Sequence, residues 1–244
     1  MPKATQSNLP KISIIIPSRT PEYLVRLLES LERSSPGAVT QRTAQILVGD
    51  NGLGEECRRE YPEVLFVDVP EPFIFARAIN RCLRWIPRDH HALIMNDDAK
   101  VETPWFIESM NSFALNAFAY GLLSPRINGG AGNDDQRTPG PPGTDAGGEG
   151  VFMTRRPICF IAALIRASVR AAVGELDEQF TGYGFEDCDL SRRVVEAGWK
   201  LGVIPSLVVR HGFEDGRLQH GTFLRRYDPV THAEMGQKAW RIFI

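Results

Sequence analysis

The sequence predicts an α/β domain with a mostly parallel central sheet flanked by helices, and three observations carry that reading. Residues 11–16 (KISIII) form a nearly continuous β-branched run, as in a strand buried on both faces. Strand-like runs then alternate with amphipathic helical stretches, the pattern of parallel strands joined by helical crossovers. Polar residues gather where the strand-like runs end, and in open α/β sheets ligands bind beyond the carboxyl ends of the strands.

Taken in order, the elements follow from local chemistry. After the first run, Thr20 is placed to cap a helix whose first position is Pro21. Its apolar face is Leu24, Leu27, Leu28 and Leu31, at i, i+3, i+4 and i+7. Residues 45–48 read as a second strand closed by Gly49-Asp50-Asn51-Gly52, and residues 63–67 as a third. Residues 75–85 are a predicted helix bearing Arg77, Asn80, Arg81 and Arg84. Residues 91–95 form a short buried strand that stops abruptly at Asn96-Asp97-Asp98, and a second capped helix begins at Thr103-Pro104-Trp105. Residues 129–150 are rich in Gly and Pro and nearly free of apolar side chains, so they pack no core; they read as a lid or as a disordered insertion. Strand character returns over 157–165, and helices follow near 168–173 and over 186–197, the latter stopped by Gly198 at C′. Short strands at 201–204 and 207–209 lead into His211.

Composition limits the function classes. A chain of 244 residues holds one large domain or two small ones, with ample core. Lys and Arg total 28 against 30 Asp and Glu, a net charge of −2, which removes any global electrostatic case for a nucleic-acid binder. The four cysteines (Cys57, Cys82, Cys159, Cys188) form no CxxC pair and fit reduced thiols better than a disulfide framework or a zinc site. Residues 1–11 lack the apolar core of a signal peptide, and the longest apolar run, 158–165, is far short of the ~20 residues that span a bilayer. A cytoplasmic protein without a transmembrane segment is expected, with peripheral contact at the cytoplasmic face of a membrane left open.

Asn96-Asp97-Asp98 concentrates the question of function. Adjacent carboxylates at a strand end repel each other and must be compensated, so they add nothing to stability by themselves. They read either as a solvated turn or as oxygen ligands for a hard divalent cation, which in turn suits phosphate. Ser18-Arg19, Asp50-Asn51 and His211 stand at three further strand ends. Four such ends on one sheet favour a site over a set of turns.

The ordered motifs IIIPSR, ILVGDNG, FARAIN, IMNDDA, YGFEDCDLSRRVVEAG and VVRHG resemble the family 2 glycosyltransferases with the GT-A fold, a nucleotide-diphospho-sugar transferase domain. The resemblance covers residues 11–215. It implies a short N-terminal tail (1–10), one GT-A catalytic domain (11–215) and a C-terminal extension (216–244) packing on or near the active site. By the same resemblance Pro17, Ser18 and Arg19 begin the nucleotide pocket, Asp50 accepts a hydrogen bond from the base, and Arg77 and Asn80 lie near the nucleotide. Asn96-Asp97-Asp98 matches the DXD motif, with Asn96 replacing its first Asp, Asn96 and Asp97 facing the donor, and Asp98 binding the metal. His211 matches a position that ligates the metal or touches the diphosphate. Asp187 matches the catalytic base, with Glu186 beside it in acceptor binding.

What the resemblance implies is a metal-dependent, inverting transfer of a sugar from a nucleotide-diphosphate sugar to a hydroxyl of a carbohydrate or glycolipid acceptor, with Mn²⁺ or Mg²⁺ as cofactor. No nucleic-acid partner is expected. The other reading is a non-catalytic nucleotide-sugar or glycan-binding protein on a degenerate GT-A fold, for which Asn96 gives a foothold. Asp98, Asp187 and His211 together speak against it. A dinucleotide-binding dehydrogenase and a P-loop NTPase lack their glycine signatures after the first strand.

Overall fold

The computed structural model describes residues 11–129, 132–137, 150–181, 184–212, 234, 236–238 and 240–241. Nine strands form one mixed sheet: β1 (Ile12–Ser18), β2 (Gln45–Asp50), β3 (Leu65–Asp68), β4 (His91–Met95), β5 (Ala99–Val101), β6 (Tyr120–Gly129), β7 (Phe152–Thr154), β8 (Ala162–Ile165) and β9 (Lys200–His211). Its order is β3-β2-β1-β4-β8-β6-β9-β5, with β7 also paired to β9. Among the described residues seven helices accompany it: α1 (Pro21–Ser34), α2 (Glu55–Glu60), α3 (Phe75–Leu83), α4 (Phe106–Asn116), α5 (Asp134–Arg137), α6 (Ala167–Val173) and α7 (Glu186–Glu196).

The burial of β1 explains its composition. Ile12, Ile14 and Ile16 pack with Leu24, Leu27, Leu28 and Leu31 of α1 on one face of the sheet. Ile15 packs with Ile79 and Cys82 of α3 on the other. A strand covered on both sides has no solvent face on which to place polar residues. β4 repeats the pattern, with Leu93 and Met95 on the α1 side and Ala92 and Ile94 on the α3 side. Thr20 does stand at the N-cap of α1 with Pro21 behind it, but its side chain makes no capping hydrogen bond.

β1 pairs in parallel with both β2 and β4, and β2 in parallel with β3. β8 runs against both β4 and β6, and β6 runs parallel to β9. Strands β1, β2, β4 and β9 therefore share one direction, and their carboxyl ends lie on one edge. That edge carries Ser18, Asp50, Asn96 to Asp98 and His211.

The structure differs from the sequence reading in the second half of the sheet. β6, ten residues long, is absent from the expected elements; Gly121, Ser124, Pro125 and Gly129 hide its strand character. The two strands expected at 201–204 and 207–209 are one twelve-residue strand, β9. Its pairing with β6 shifts register between Pro125 and Arg126, and β7 joins its first half while β5 joins its second. Of the strand expected over 157–165, only Ala162–Ile165 pairs; the residues before it form part of the site.

Two glycines, Gly121 and Gly202, are needed for this packing. A Cβ on Gly202 would lie 2.5 Å from Val151 Cγ1 and 2.6 Å from Tyr120 Cδ1. Gly202→Ala is expected to destabilise the fold by about 1–3 kcal/mol through overpacking, read as a lower urea midpoint at unchanged m-value.

His91 is structural, as expected: its Nδ1 accepts the Ala167 N–H at 3.0 Å, fastening α6 to β4. Burial lowers its pKa from 6.5 to about 4. Between those values the unfolded chain binds the extra proton and the folded chain does not, so stability rises with pH across the window. Stability therefore falls on acidification from pH 6.5 towards 4, by up to ~3 kcal/mol from this group. His91→Asn should flatten that part of the stability–pH curve relative to wild type; parallel curves for the two proteins would rule the account out.

Candidate active site

Asn96 leaves β4 with its N–H donating to the Ile161 carbonyl at 3.0 Å. The next two carboxylates are almost fully buried, Asp97 at 5% exposure and Asp98 at 2%, so each needs compensation. Ser18 Oγ donates to Asp97 Oδ2 at 2.8 Å, joining the ends of β1 and β4. Asp98 Oδ1 lies 3.2 Å from His211 Nε2, and Asn96 Nδ2 lies 3.4 Å from the same nitrogen. Sequence positions 18, 96, 97, 98 and 211 thus meet in one cluster.

Helix α1 holds this cluster with a polar row beside its leucine face. Ser34 Oγ donates to the Thr103 carbonyl at 2.6 Å, and Ser30 Oγ accepts the Val101 N–H at 3.0 Å. One turn nearer the site, Arg26 Nη2 donates to the Asp98 carbonyl at 3.0 Å and to the Gly212 carbonyl at 3.1 Å. The Gly212 N–H also donates to the Asp98 carbonyl, at 3.0 Å. The sequence reading missed all three residues. The signal was their i, i+4, i+8 spacing, which puts them on one face of the helix.

Glu186 and Asp187 open α7. Phe185 precedes them in the left-handed region at φ 74°, an unusual conformation for a residue with a Cβ. Asp187 Oδ1 accepts the Cys188 N–H at 2.8 Å, and the nearby Cys188 thiol and Phe160 N–H also favour its charged form. Desolvation nevertheless raises the pKa of Asp187 above its ordinary value. Glu186 is raised for the same reason, with repulsion from Asp187 adding to it. Glu186 Oε2 is buried with no hydrogen-bond partner among the described residues.

Phe160 and Ile161 connect the two halves of the site. Ile161 accepts from Asn96 and the Phe160 N–H lies near Asp187, so one dipeptide runs between the end of β4 and the start of α7. Ser191 Oγ accepts the Ile158 N–H at 3.0 Å and anchors the same segment to α7. Asp189 pairs with Arg193 at 2.7 Å as the i, i+4 spacing expects. Gly182 and Tyr183 of the expected acceptor loop lie outside the described residues, as do residues 130–131, 138–149 and most of the extension over 216–244. Within that extension Trp240 is described, and its ring centroid lies 5.4 Å from that of Phe185.

On the nucleotide side the residues are more committed to the protein than expected. Pro17 is buried in β1 and Arg19 is exposed just beyond it. Asp50 Oδ1 accepts the N–H groups of Gly52 and Leu53, both at 2.8 Å, and Oδ2 pairs with Arg58. The turn is therefore real, and Arg58, overlooked in the sequence, neutralises the buried carboxylate. Arg77 pairs with Glu178 at 3.4 Å. Asn80 exchanges hydrogen bonds with the backbone of Leu176 and also donates to Glu178, so its buried amide fastens α3 to the segment ahead of α7.

No family model matches the chain. It is 24% identical over 261 aligned positions to an N-acetylglucosaminyl-diphospho-decaprenol L-rhamnosyltransferase of Mycobacterium tuberculosis, covering 91% of this chain and 80% of the relative. Three solved structures share its fold. GalNAc-T7 with UDP, GalNAc and Mn²⁺ matches at TM-score 0.67 and 16% identity over 85% of this chain. The mannosyltransferase PcManGT of Pyrobaculum calidifontis, with GDP-Man and Mn²⁺, matches at 0.61 and 15% over 95%. S. aureus TarS 1-349 matches at 0.60 and 14% over 93%. The chain has the fold of the GT-A glycosyltransferases. It spans 45%, 64% and 69% of those three chains respectively.

Among the described residues no group of three His, Cys, Asp or Glu side chains is arranged to hold a metal. Two donors do converge, the Asp98 carboxylate and the His211 imidazole, at 3.2 Å. That separation suits neighbouring ligands of one cation, and a carboxylate with an imidazole suits Mn²⁺. A cation that keeps water and takes diphosphate oxygens needs few protein ligands, so the donor set fits such an ion. No helix among the described residues is long and apolar enough to cross a membrane.

Asp98→Ala is expected to abolish Mn²⁺-dependent donor binding in calorimetry while shifting Tm by only a few degrees. A collapse in Tm with donor binding intact would return Asp98 to a purely structural turn.

Proposed function

We propose that this protein is a metal-dependent, inverting glycosyltransferase that moves a sugar from a nucleotide-diphosphate sugar to a hydroxyl of a lipid-linked saccharide. One observation supports this above all. The end of β4, with Asp98 beside His211, is bonded to Ile161, and the start of α7, with Asp187, lies next to the adjoining residue Phe160. A donor diphosphate and an acceptor hydroxyl would so be received on either side of one short segment.

Each residue has a role that follows from its setting. The loop at Pro17 to Arg19, with Asp50, Arg77, Asn96 and Asp97, borders the donor. Asn80 acts through Leu176 and Glu178 and not by touching the nucleotide. Asp98 and His211 would hold Mn²⁺ or Mg²⁺, which supplies charge neutralisation for the leaving diphosphate. Asp187 takes the proton of the acceptor hydroxyl as that oxygen attacks the anomeric carbon from the face opposite the leaving group. One displacement with one base inverts the anomeric centre. Glu186, with its unpartnered oxygen, orients the acceptor hydroxyl beside Asp187. The hydrogen bond from the Cys188 N–H fixes the direction of Asp187, while desolvation raises its proton affinity towards what a general base needs.

The choice of acceptor rests on the rhamnosyltransferase relative, whose own acceptor is a diphospho-decaprenol sugar by its name. A lipid-linked acceptor places the reaction at a membrane surface. The cytoplasmic face suits a chain whose described residues carry four free cysteines.

Asp187→Asn should lower transfer by about 10²–10⁴-fold and leave donor affinity within about twofold. The acid limb of kcat/KM should lie above the ordinary aspartate value of 3.8, because the folded carboxyl is raised. Titration of UDP, GDP and dTDP with Mn²⁺, followed by anomeric NMR of the product from the donor that binds, tests the rest. Retained configuration, or full transfer by Asp187→Asn, would defeat the proposal.

A further inference from the structure

Arg26 makes contacts that neither the motif pattern nor the proposed chemistry accounts for. It belongs to α1, far in sequence from both proposed cation ligands, yet one guanidinium nitrogen reaches the backbone of Asp98 and of Gly212. Its Nη2 donates to the carbonyl of Asp98 at 3.0 Å and to that of Gly212, the residue after His211, at 3.1 Å. The Asp98 carbonyl also accepts the Gly212 N–H at 3.0 Å. Asp98 and Gly212 are thus linked directly and again through Arg26.

We infer that Arg26 is a positioning residue for the cation site, a clamp that sets the separation of Asp98 and His211; the inference rests on the proposal that these two hold Mn²⁺ or Mg²⁺. The leucine face of α1 is buried against β1, so the helix that carries Arg26 is fixed to the sheet core. Ser30 and Ser34 fasten the same row to Val101 and Thr103, downstream of Asp98. Arg26 alone among these three also reaches the β9 segment. Ala99 pairs with His211 across β5 and β9, so the clamp lies where the two strands bring the ligands together. The end of β9 turns at Gly212 with φ 85°, and the guanidinium holds the carbonyl of that turn. A guanidinium with two N–H groups on its terminal nitrogen can serve two carbonyls; a lysine ammonium on a shorter stem keeps the charge and loses this geometry.

Charge and geometry make opposite predictions, which makes the inference testable. A cation repels an arginine, so if Arg26 acted only through its charge, removing that charge would tighten Mn²⁺ binding. As a clamp, its loss loosens the ligand pair, and groups that orient metal ligands typically contribute about 10–100-fold in affinity.

The experiment titrates Mn²⁺ by electron paramagnetic resonance of the free ion, without donor or acceptor, on wild type, Arg26→Lys, Arg26→Gln and Ser30→Ala. Tm is measured on each metal-free protein. Both Arg26 variants are expected to weaken Mn²⁺ binding by about 10-fold or more. Ser30→Ala, which loosens the same helix row without touching Asp98 or Gly212, should lower Tm and leave Mn²⁺ affinity within about twofold of wild type. The inference is overturned if Arg26→Gln binds Mn²⁺ as tightly as wild type or more tightly. It is also overturned if Ser30→Ala weakens binding as much as Arg26→Lys does. Should Arg26→Gln fail to fold, Arg26→Lys decides by the same criterion. A wild type that binds no Mn²⁺ or Mg²⁺ defeats the cation proposal itself, a result distinct from equal binding by wild type and variants.

Discussion

Burying carboxylates at the edge of an apolar sheet costs several kcal/mol per ion unless each charge is met by a partner. Asp50, Asp97 and Asp98 are all 5% exposed or less, and the surrounding structure is organised by that requirement. Arg58 meets Asp50, Ser18 meets Asp97, and His211 meets Asp98. Each partner comes from a different element, so compensation of the carboxylates also joins β1, β2, α2, β4 and β9 along one edge. A stable protein has no need for carboxylates there; the proposed site for diphosphate and a divalent cation would.

The same constraint accounts for the division of labour in the sheet. Strands β1 and β4 are apolar on both faces and rigid, so they deliver polar groups only at their ends. β8 runs antiparallel between β4 and β6, and the irregular residues before it enter the site edge directly. Ile161 there accepts the Asn96 N–H with its backbone carbonyl, a link that leaves no trace in side-chain chemistry. The bulge between Pro125 and Arg126 lets one long strand, β9, pair with β7 near its start and β5 near its end, where it presents His211. Bulges of this kind commonly re-aim side chains near functional sites.

The contrast between the two ends of the site is physical. At the Asp98 end, hydrogen bonds to backbone carbonyls from Arg26 fix the main chain and leave the carboxylate to its imidazole neighbour. At the Asp187 end, the Cys188 N–H fixes the carboxylate itself, while burial works against its charge. The first arrangement suits a group that must stay ionised. The second suits one that must accept a proton and later release it.

The sequence alone determined the first half of the sheet, the leucine face of α1 and the residues at four strand ends, because β-branched runs, 3.6-residue spacing and abrupt polar stops are local signals. It also marked Glu186-Asp187 at a helix start and the Asp189–Arg193 pair, again by spacing. It did not disclose β6, whose Gly121 is explained only by the close approach of Val194, Trp199 and Val169. Nor did it disclose that Asp50 is closed by Arg58, that Asn80 serves Leu176 and Glu178, or that Arg26 reaches Asp98 and Gly212. Those facts depend on which elements pack side by side, and residues 72 and 186 positions apart in the chain carry no local signal of their contact. Tertiary structure decided them, because a hydrogen bond between distant segments forms only after the sheet has set their separation.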